Sequence, residues 1–159
     1  MPLGRWTVRL PYACSLAILV ASPAFALQIG EVGVPVVRSF SPEEYDGDLQ
    51  IFDAAQGPDG LLYFACPEDN AVLRYDGERW RKTLLGVPVL SLDVGGDGRV
   101  WLGSSGDFGY LRETGGEMEF VSVALGVALG EGAPPSFIAT RTTPRGVCFL
   151  ALELLVLWD

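Results

Sequence analysis

Between residues 49 and 158 the apolar positions fall into short runs, broken by Gly, Pro and Asp. Runs of this length bounded by turn formers predict short strands and not helices. The runs also repeat. Gly60-Leu61-Leu62-Tyr63-Phe64-Ala65 aligns with Gly98-Arg99-Val100-Trp101-Leu102-Gly103, and again with Gly146-Val147-Cys148-Phe149-Leu150-Ala151. Each block opens on a turn glycine, preceded by Pro58-Asp59, Gly96-Asp97 or Pro144-Arg145. Upstream of each turn a first strand is expected, over residues 49 to 55, 89 to 94 and 137 to 142. Downstream a third follows: Val72-Leu73-Arg74-Tyr75, Phe108-Gly109-Tyr110-Leu111 and Leu155-Val156-Leu157-Trp158. The first two units add a fourth, over 79 to 84 and 117 to 123. Residues 124 to 135 read as a long connection, because Gly126, Gly130 and Gly132 weaken an amphipathic helix there.

Side chains two apart share a face of a strand. Leu62 and Phe64, Val100 and Leu102, and Cys148 and Leu150 are thus expected on one packing face, with Tyr63, Trp101 and Phe149 on the other. Apolar residues on both faces imply a sheet covered on both sides, so these aromatics read as packing between sheets and not as a stacking platform for a ligand. Four short antiparallel strands repeated at this period make the blade of a β-propeller. The expected fold is all-β: a partial β-propeller of about three four-stranded antiparallel blades, the third incomplete, after a signal peptide. Closed propellers have about four to eight blades, so the chain reads as a fragment or a truncated reading frame. An unclosed array leaves an unpaired strand edge and an uncovered apolar face, which predicts poor solubility.

The leader carries the signal for export. Residues 1 to 26 contain Arg5 and Arg9, then the apolar stretch Cys14-Ser15-Leu16-Ala17-Ile18-Leu19-Val20-Ala21, then Pro23 and the small residues Ala24 and Ala26. This is the pattern of a secretory signal peptide cleaved after Ala24-Phe25-Ala26. Pro11 and Pro23 bracket an apolar run shorter than the ~20 residues that span a bilayer. Cys14 starts the apolar stretch instead of following it, the wrong place for lipid attachment. The chain therefore divides into a signal peptide at 1–26, an N-terminal segment at 27–48 and the repeats at 49–159, and a periplasmic or secreted location is expected.

Composition narrows the chemistry. With 49% hydrophobic and 19% charged residues the chain is not a disordered polar one. Its net charge of −9, more negative once the leader is removed, repels phosphate backbones and anionic headgroups, so neither nucleic acid nor a membrane surface is an expected partner of the repeats. Histidine is absent, which removes a Ser/His/Asp triad, a Cys/His pair and imidazole ligation of a metal. Cys66 and Cys148 make neither a disulfide framework nor a thiolate zinc site, and Cys148 aligns with Leu62 and Val100 as a buried small hydrophobe. Gly95-Gly96-Asp97-Gly98 lacks a following Lys-Ser/Thr and leads into a strand, so it is a turn and not a phosphate cradle. The acidic cluster Glu43, Glu44, Asp46 and Asp48 lacks the spacing of a helical-hand calcium loop. Asp107, between Gly106 and Phe108, reads as a turn former. No catalytic, cofactor or metal residue is assigned, and the chain is not expected to be an enzyme.

Several strings resemble one family. Ser39-Phe40-Ser41-Pro42-Glu43-Glu44-Tyr45, Leu73-Arg74-Tyr75-Asp76-Gly77-Glu78-Arg79-Trp80 and, most specifically, Gly103-Ser104-Ser105-Gly106-Asp107-Phe108-Gly109-Tyr110-Leu111 are similar to the start of the two-component-regulator propeller family. The resemblance runs over roughly residues 35 to 159. It implies the extracytoplasmic input region of a membrane-bound signalling protein, commonly followed by a triple-tyrosine domain, a membrane span and an output domain. Sensing or interaction with an unidentified small molecule or protein is then the expected role, with the membrane reached only through downstream segments. It also implies that residues 35 to 40 supply a strand completing the last blade. The alternatives are the N-terminal part of a secreted propeller lyase or hydrolase, and a nonfunctional remnant.

Overall fold

Each apolar run expected as a strand between residues 49 and 158 overlaps a strand, although the first strands of the first and third units start later than expected, at Asp53 and Ala139. The structure, a computed structural model, describes residues 37–47, 49–125, 127, 129 and 134–159. Over these the protein is all-β, with one short helix, α1 (Pro42–Tyr45). The first sheet holds β1 (Asp53–Gln56), β2 (Leu62–Cys66), β3 (Ala71–Tyr75) and β4 (Trp80–Leu84). The second holds β5 (Val89–Val94), β6 (Val100–Ser104), β7 (Phe108–Thr114) and β8 (Glu117–Ser122). The third holds β9 (Ala139–Thr143), β10 (Gly146–Leu150) and β11 (Leu155–Trp158). Neighbours within each sheet are consecutive and antiparallel.

The first two units turn from first to second strand by the same device. Asp59 Oδ1 accepts the Leu61 N–H and Asp97 Oδ1 accepts the Arg99 N–H, both at 3.1 Å, while Gly60 and Gly98 take the left-handed φ values of 85° and 81° that a side chain would resist. The third unit turns more tightly. Thr143 pairs directly with Gly146 across Pro144 and Arg145, whereas the earlier turns close from Gly57 to Leu61 and from Gly95 to Arg99. Losing one residue in a hairpin loop moves every following side chain to the opposite face. The expectation for β10 is accordingly corrected. Val147 and Phe149 occupy the places of Val100 and Leu102 and are buried, while the half-buried Cys148 shares a face with Leu150, not with a core. Neither Cys66 nor Cys148 is in a disulfide.

The sheets of the unit Arg38–Asp159 meet through their first strands, β5 lying against β1 and β9 against β5. The free edge of a first strand exposes N–H groups that no strand of its own sheet can pair. Two aspartates meet this need. Asp53 accepts from the Ala54 N–H through Oδ1 and from the Leu92 N–H of β5 through Oδ2, at 2.9 and 3.1 Å. Asp93 repeats the arrangement one sheet on, taking the Val94 N–H through Oδ1 at 2.9 Å and the Thr142 N–H of β9 through Oδ2 at 2.6 Å. Ser91 Oγ, equivalent in register to Asp53, bonds the Phe137 carbonyl and Thr140 Oγ1. Arg141 Nη1 lies 3.9 Å from Asp53 Oδ2, so the first strands of the first and third sheets also approach one another.

Apolar layers fill the gaps outward from these strands. Tyr63, Ala65 and Val72 pack against Val89, Leu92, Val100, Leu102 and Leu111. Trp101 and Phe108 pack against Phe137, Val147 and Phe149, with Phe108 and Phe149 rings 4.5 Å apart. Gly103 makes this approach possible, because a Cβ there would stand 2.6 Å from the Phe137 carbonyl oxygen. The far face of the first sheet is covered by Phe40 and Tyr45 against Phe64 and Trp80. Of the strand expected at 35 to 40, residues 37 to 40 carry no strand, and 35 and 36 lie outside the described residues, as does the whole leader. The far face of the third sheet is open: Leu150, Leu155 and Leu157 are 45%, 64% and 56% exposed.

Two outcomes follow from this packing. An apolar face of this kind drives self-association, so sedimentation of the full chain is expected to show concentration-dependent oligomers that the double variant Leu155→Lys/Leu157→Lys shifts towards monomer; a monodisperse wild type would contradict this. In that background Asp93→Ala, which removes the side-chain acceptor of the Thr142 and Val94 N–H groups and leaves the Thr142 hydroxyl only the Val94 carbonyl, is expected to lower unfolding stability in urea by about 2 kcal/mol.

Candidate functional site

Outward of the first strands, the first and second sheets diverge around a cleft of about 440 Å³. Antiparallel register builds one wall. Tyr63 in β2 stands opposite Arg74 in β3, and Arg74 opposite Arg81 in β4, so the three side chains form one row across the sheet. That row lies on the face turned to the second sheet, as the packing of Tyr63 and Val72 against Leu111 shows. Leu111 from β7 and Met118 from β8 supply the opposite wall, with Glu117 beside them. A second hollow of about 400 Å³ shares Tyr63, Arg74, Leu111 and Met118 and extends towards Asp59 and Glu113.

The charges in the cleft are not equivalent. Lys82 is tied to Asp69 at 2.8 Å, and that hydrogen bond raises its pKa. Arg74 and Arg81 are in no ion pair among the described residues. Burial pushes the Tyr63 phenol above its ordinary pKa, and the negative charge of Asp59 pushes it the same way, with Arg74 opposing. A protonated phenol, two guanidinium groups and a thioether offer donors and apolar contact.

A further hollow of about 510 Å³ lies between the turns Gly95–Asp97 and Thr143–Gly146, beside Trp101. Among the described residues that line it, the ionisable side chain is Asp97, already engaged by the Arg99 N–H.

The residues weighed in the sequence are dispersed. Asp107 Oδ1 accepts from the Phe108 N–H at 2.7 Å and from Ser122 Oγ at 2.6 Å, which joins the start of β7 to the end of β8 and makes it a turn residue. Glu43 and Glu44 lie in α1, where Glu44 Oε2 takes the Ser41 N–H at 2.8 Å. Asp46 ends that helix in the left-handed conformation, and Asp48 lies outside the described residues. Among the described residues no three carboxylates or thiols gather to hold a metal ion. Ala24 and Ala26 lie outside the described residues, and no described helix is long and apolar enough to cross a membrane. Arg74 and Arg81 were not singled out by motif. The usable signal was the break that Arg74 makes in Val72-Leu73-Arg74-Tyr75, a cation at a position whose period places it between sheets. No family model, no curated protein and no solved structure matches the chain.

Tyr63 gives a pH signature. Its folded pKa lies above the ordinary 10.0, so the folded state holds the proton more tightly than the unfolded one. The stability this contributes is present below pH 10.0 and is lost as pH rises through the folded value. Tyrosinate absorbance is expected to show one residue ionising late, and Tyr63→Phe to remove that late step; ordinary titration of all tyrosines would contradict it.

Proposed function

We propose that the chain is the extracytoplasmic ligand-sensing or interaction module of a signal-transduction protein, its sheets acting as successive blades of a β-propeller. The observation that carries this reading is the repeated contact between first strands: Asp53 reaches Leu92 and Asp93 reaches Thr142, one sheet to the next in the same sense. A repeating carboxylate bridge of this kind fits a radial array, in which each sheet meets its neighbour by the same rotation. The export signal at residues 1 to 26 and the strings similar to the two-component-regulator propellers support the extracytoplasmic placement and the signalling role.

The physical logic of such a module is simple. The first two sheets are held together at their first strands and by the apolar layer beside them, and the cleft lies farther out, between β3 and β4 on one side and β7 and β8 on the other. A ligand touching both walls of the cleft binds one spacing better than another and so shifts the population of sheet arrangements. Transmission to an output domain then needs no chemistry, only differential affinity.

Production of the full chain in a bacterial host with fractionation and intact-mass analysis tests the placement. The expected product lies outside the cytoplasm and begins at Leu27. A cytoplasmic product retaining residues 1 to 26 would contradict the reading.

A further inference from the structure

Arg74 and Arg81 face each other directly on adjacent strands. Like charges in that position repel and weaken a sheet. Among the described residues neither is in an ion pair, although the chain carries 20 acidic side chains against 11 basic ones. Basic residues are also concentrated here, since Arg74, Arg79, Arg81 and Lys82 fall on or between β3 and β4. Lys82 is spent on Asp69, which leaves the two arginines as the unneutralised cations of the cleft.

The rest of the cleft completes a recognisable binding chemistry. Tyr63 beside Arg74 keeps its proton at neutral pH and can donate a hydrogen bond. Leu111 and Met118 face this row with hydrocarbon and a polarisable thioether, which adapts to irregular apolar groups. A volume of about 440 Å³ is in the range of ~300 to 1,000 Å³ that small-molecule sites occupy. Guanidinium groups bind carboxylate and phosphate oxygens through paired, charge-assisted hydrogen bonds. An oxyanion between Arg74 and Arg81 would turn their repulsion into two attractions. Glu117 on the opposite wall and Glu113 and Asp59 beyond Tyr63 repel additional negative charge, which favours a compact head over a polyanion.

We propose that this cleft binds a small organic oxyanion, a carboxylate or phosphate ester, with its charged head on Arg74 and Arg81 and its hydrocarbon part against Leu111 and Met118. The proposal rests on the reading of the chain as a ligand-binding module and names the class of ligand.

Equilibrium dialysis of the full chain with phenyl phosphate and with benzoate tests it, with benzylamine as the cationic control. At least one of the two oxyanions is expected to bind saturably, more weakly as salt is added, while benzylamine is not retained; which probe binds tells phosphate from carboxylate. Arg81→Gln, at an exposed position, is expected to weaken binding at least tenfold while leaving the thermal midpoint of the ligand-free chain unchanged or raised, because it relieves the repulsion. Glu117→Gln is expected to tighten binding. Retention of neither oxyanion above the control, or unchanged affinity in Arg81→Gln, would overturn the proposal. Export with cleavage but no oxyanion binding would sink the cleft and leave the module standing; oxyanion binding by a chain retained in the cytoplasm would do the reverse.

Discussion

The bridging of two strand edges by one carboxylate is the constraint on which the packing rests. A sheet whose first strand turns inward has a row of N–H groups that must find acceptors or stay exposed to water. Asp53 and Asp93 each divide their two oxygens between an N–H of their own strand and an N–H of the next sheet's first strand. The N–H groups so joined occupy equivalent places in successive sheets, Ala54 with Leu92 and Val94 with Thr142. Height and order are thereby set before the side chains farther out are considered. Ser91, with a shorter polar arm at the place of Asp53, reaches a carbonyl and a hydroxyl of the next unit instead.

Given that anchoring, the apolar layers have little freedom. Tyr63 and Val72 must meet Val100 and Leu111, and Trp101 and Phe108 must meet Phe137 and Phe149. Gly103 is needed where the connection into β9 crosses over β6 at backbone distance. The same geometry leaves the outer strands of the first two sheets apart, and the cleft that results is walled by residues whose faces were chosen by strand register and not by a local motif.

Much of this was legible in the chain because strands and turns leave local marks. Asp59-Gly60 and Asp97-Gly98 announce their turns, and β5 and β11 begin and end where the apolar runs do. The third unit misled for a physical reason. Gly146 looks like Gly98, but the loop before it is shorter, so matching glycine to glycine reversed the faces of β10 and placed Cys148 in a core it does not enter. The edge-bridging aspartates left no mark either, since their partners are 39 and 49 residues away in sequence. The arginine row was hidden in the same way: Arg74 and Arg81 become neighbours only through the pairing of β3 with β4. Phe40 and Tyr45 resembled parts of a family string, and their service as cover for Phe64 and Trp80 is a tertiary fact.

Native-state amide hydrogen exchange, read residue by residue, tests the anchoring most directly. The Leu92 and Thr142 N–H groups point away from their own sheets and, among the described residues, are held by Asp53 and Asp93. They are expected to exchange as slowly as the cross-strand amides at the centres of β2 and β6. Exchange at the rate of an open strand edge would show that the sheets are not joined in this way.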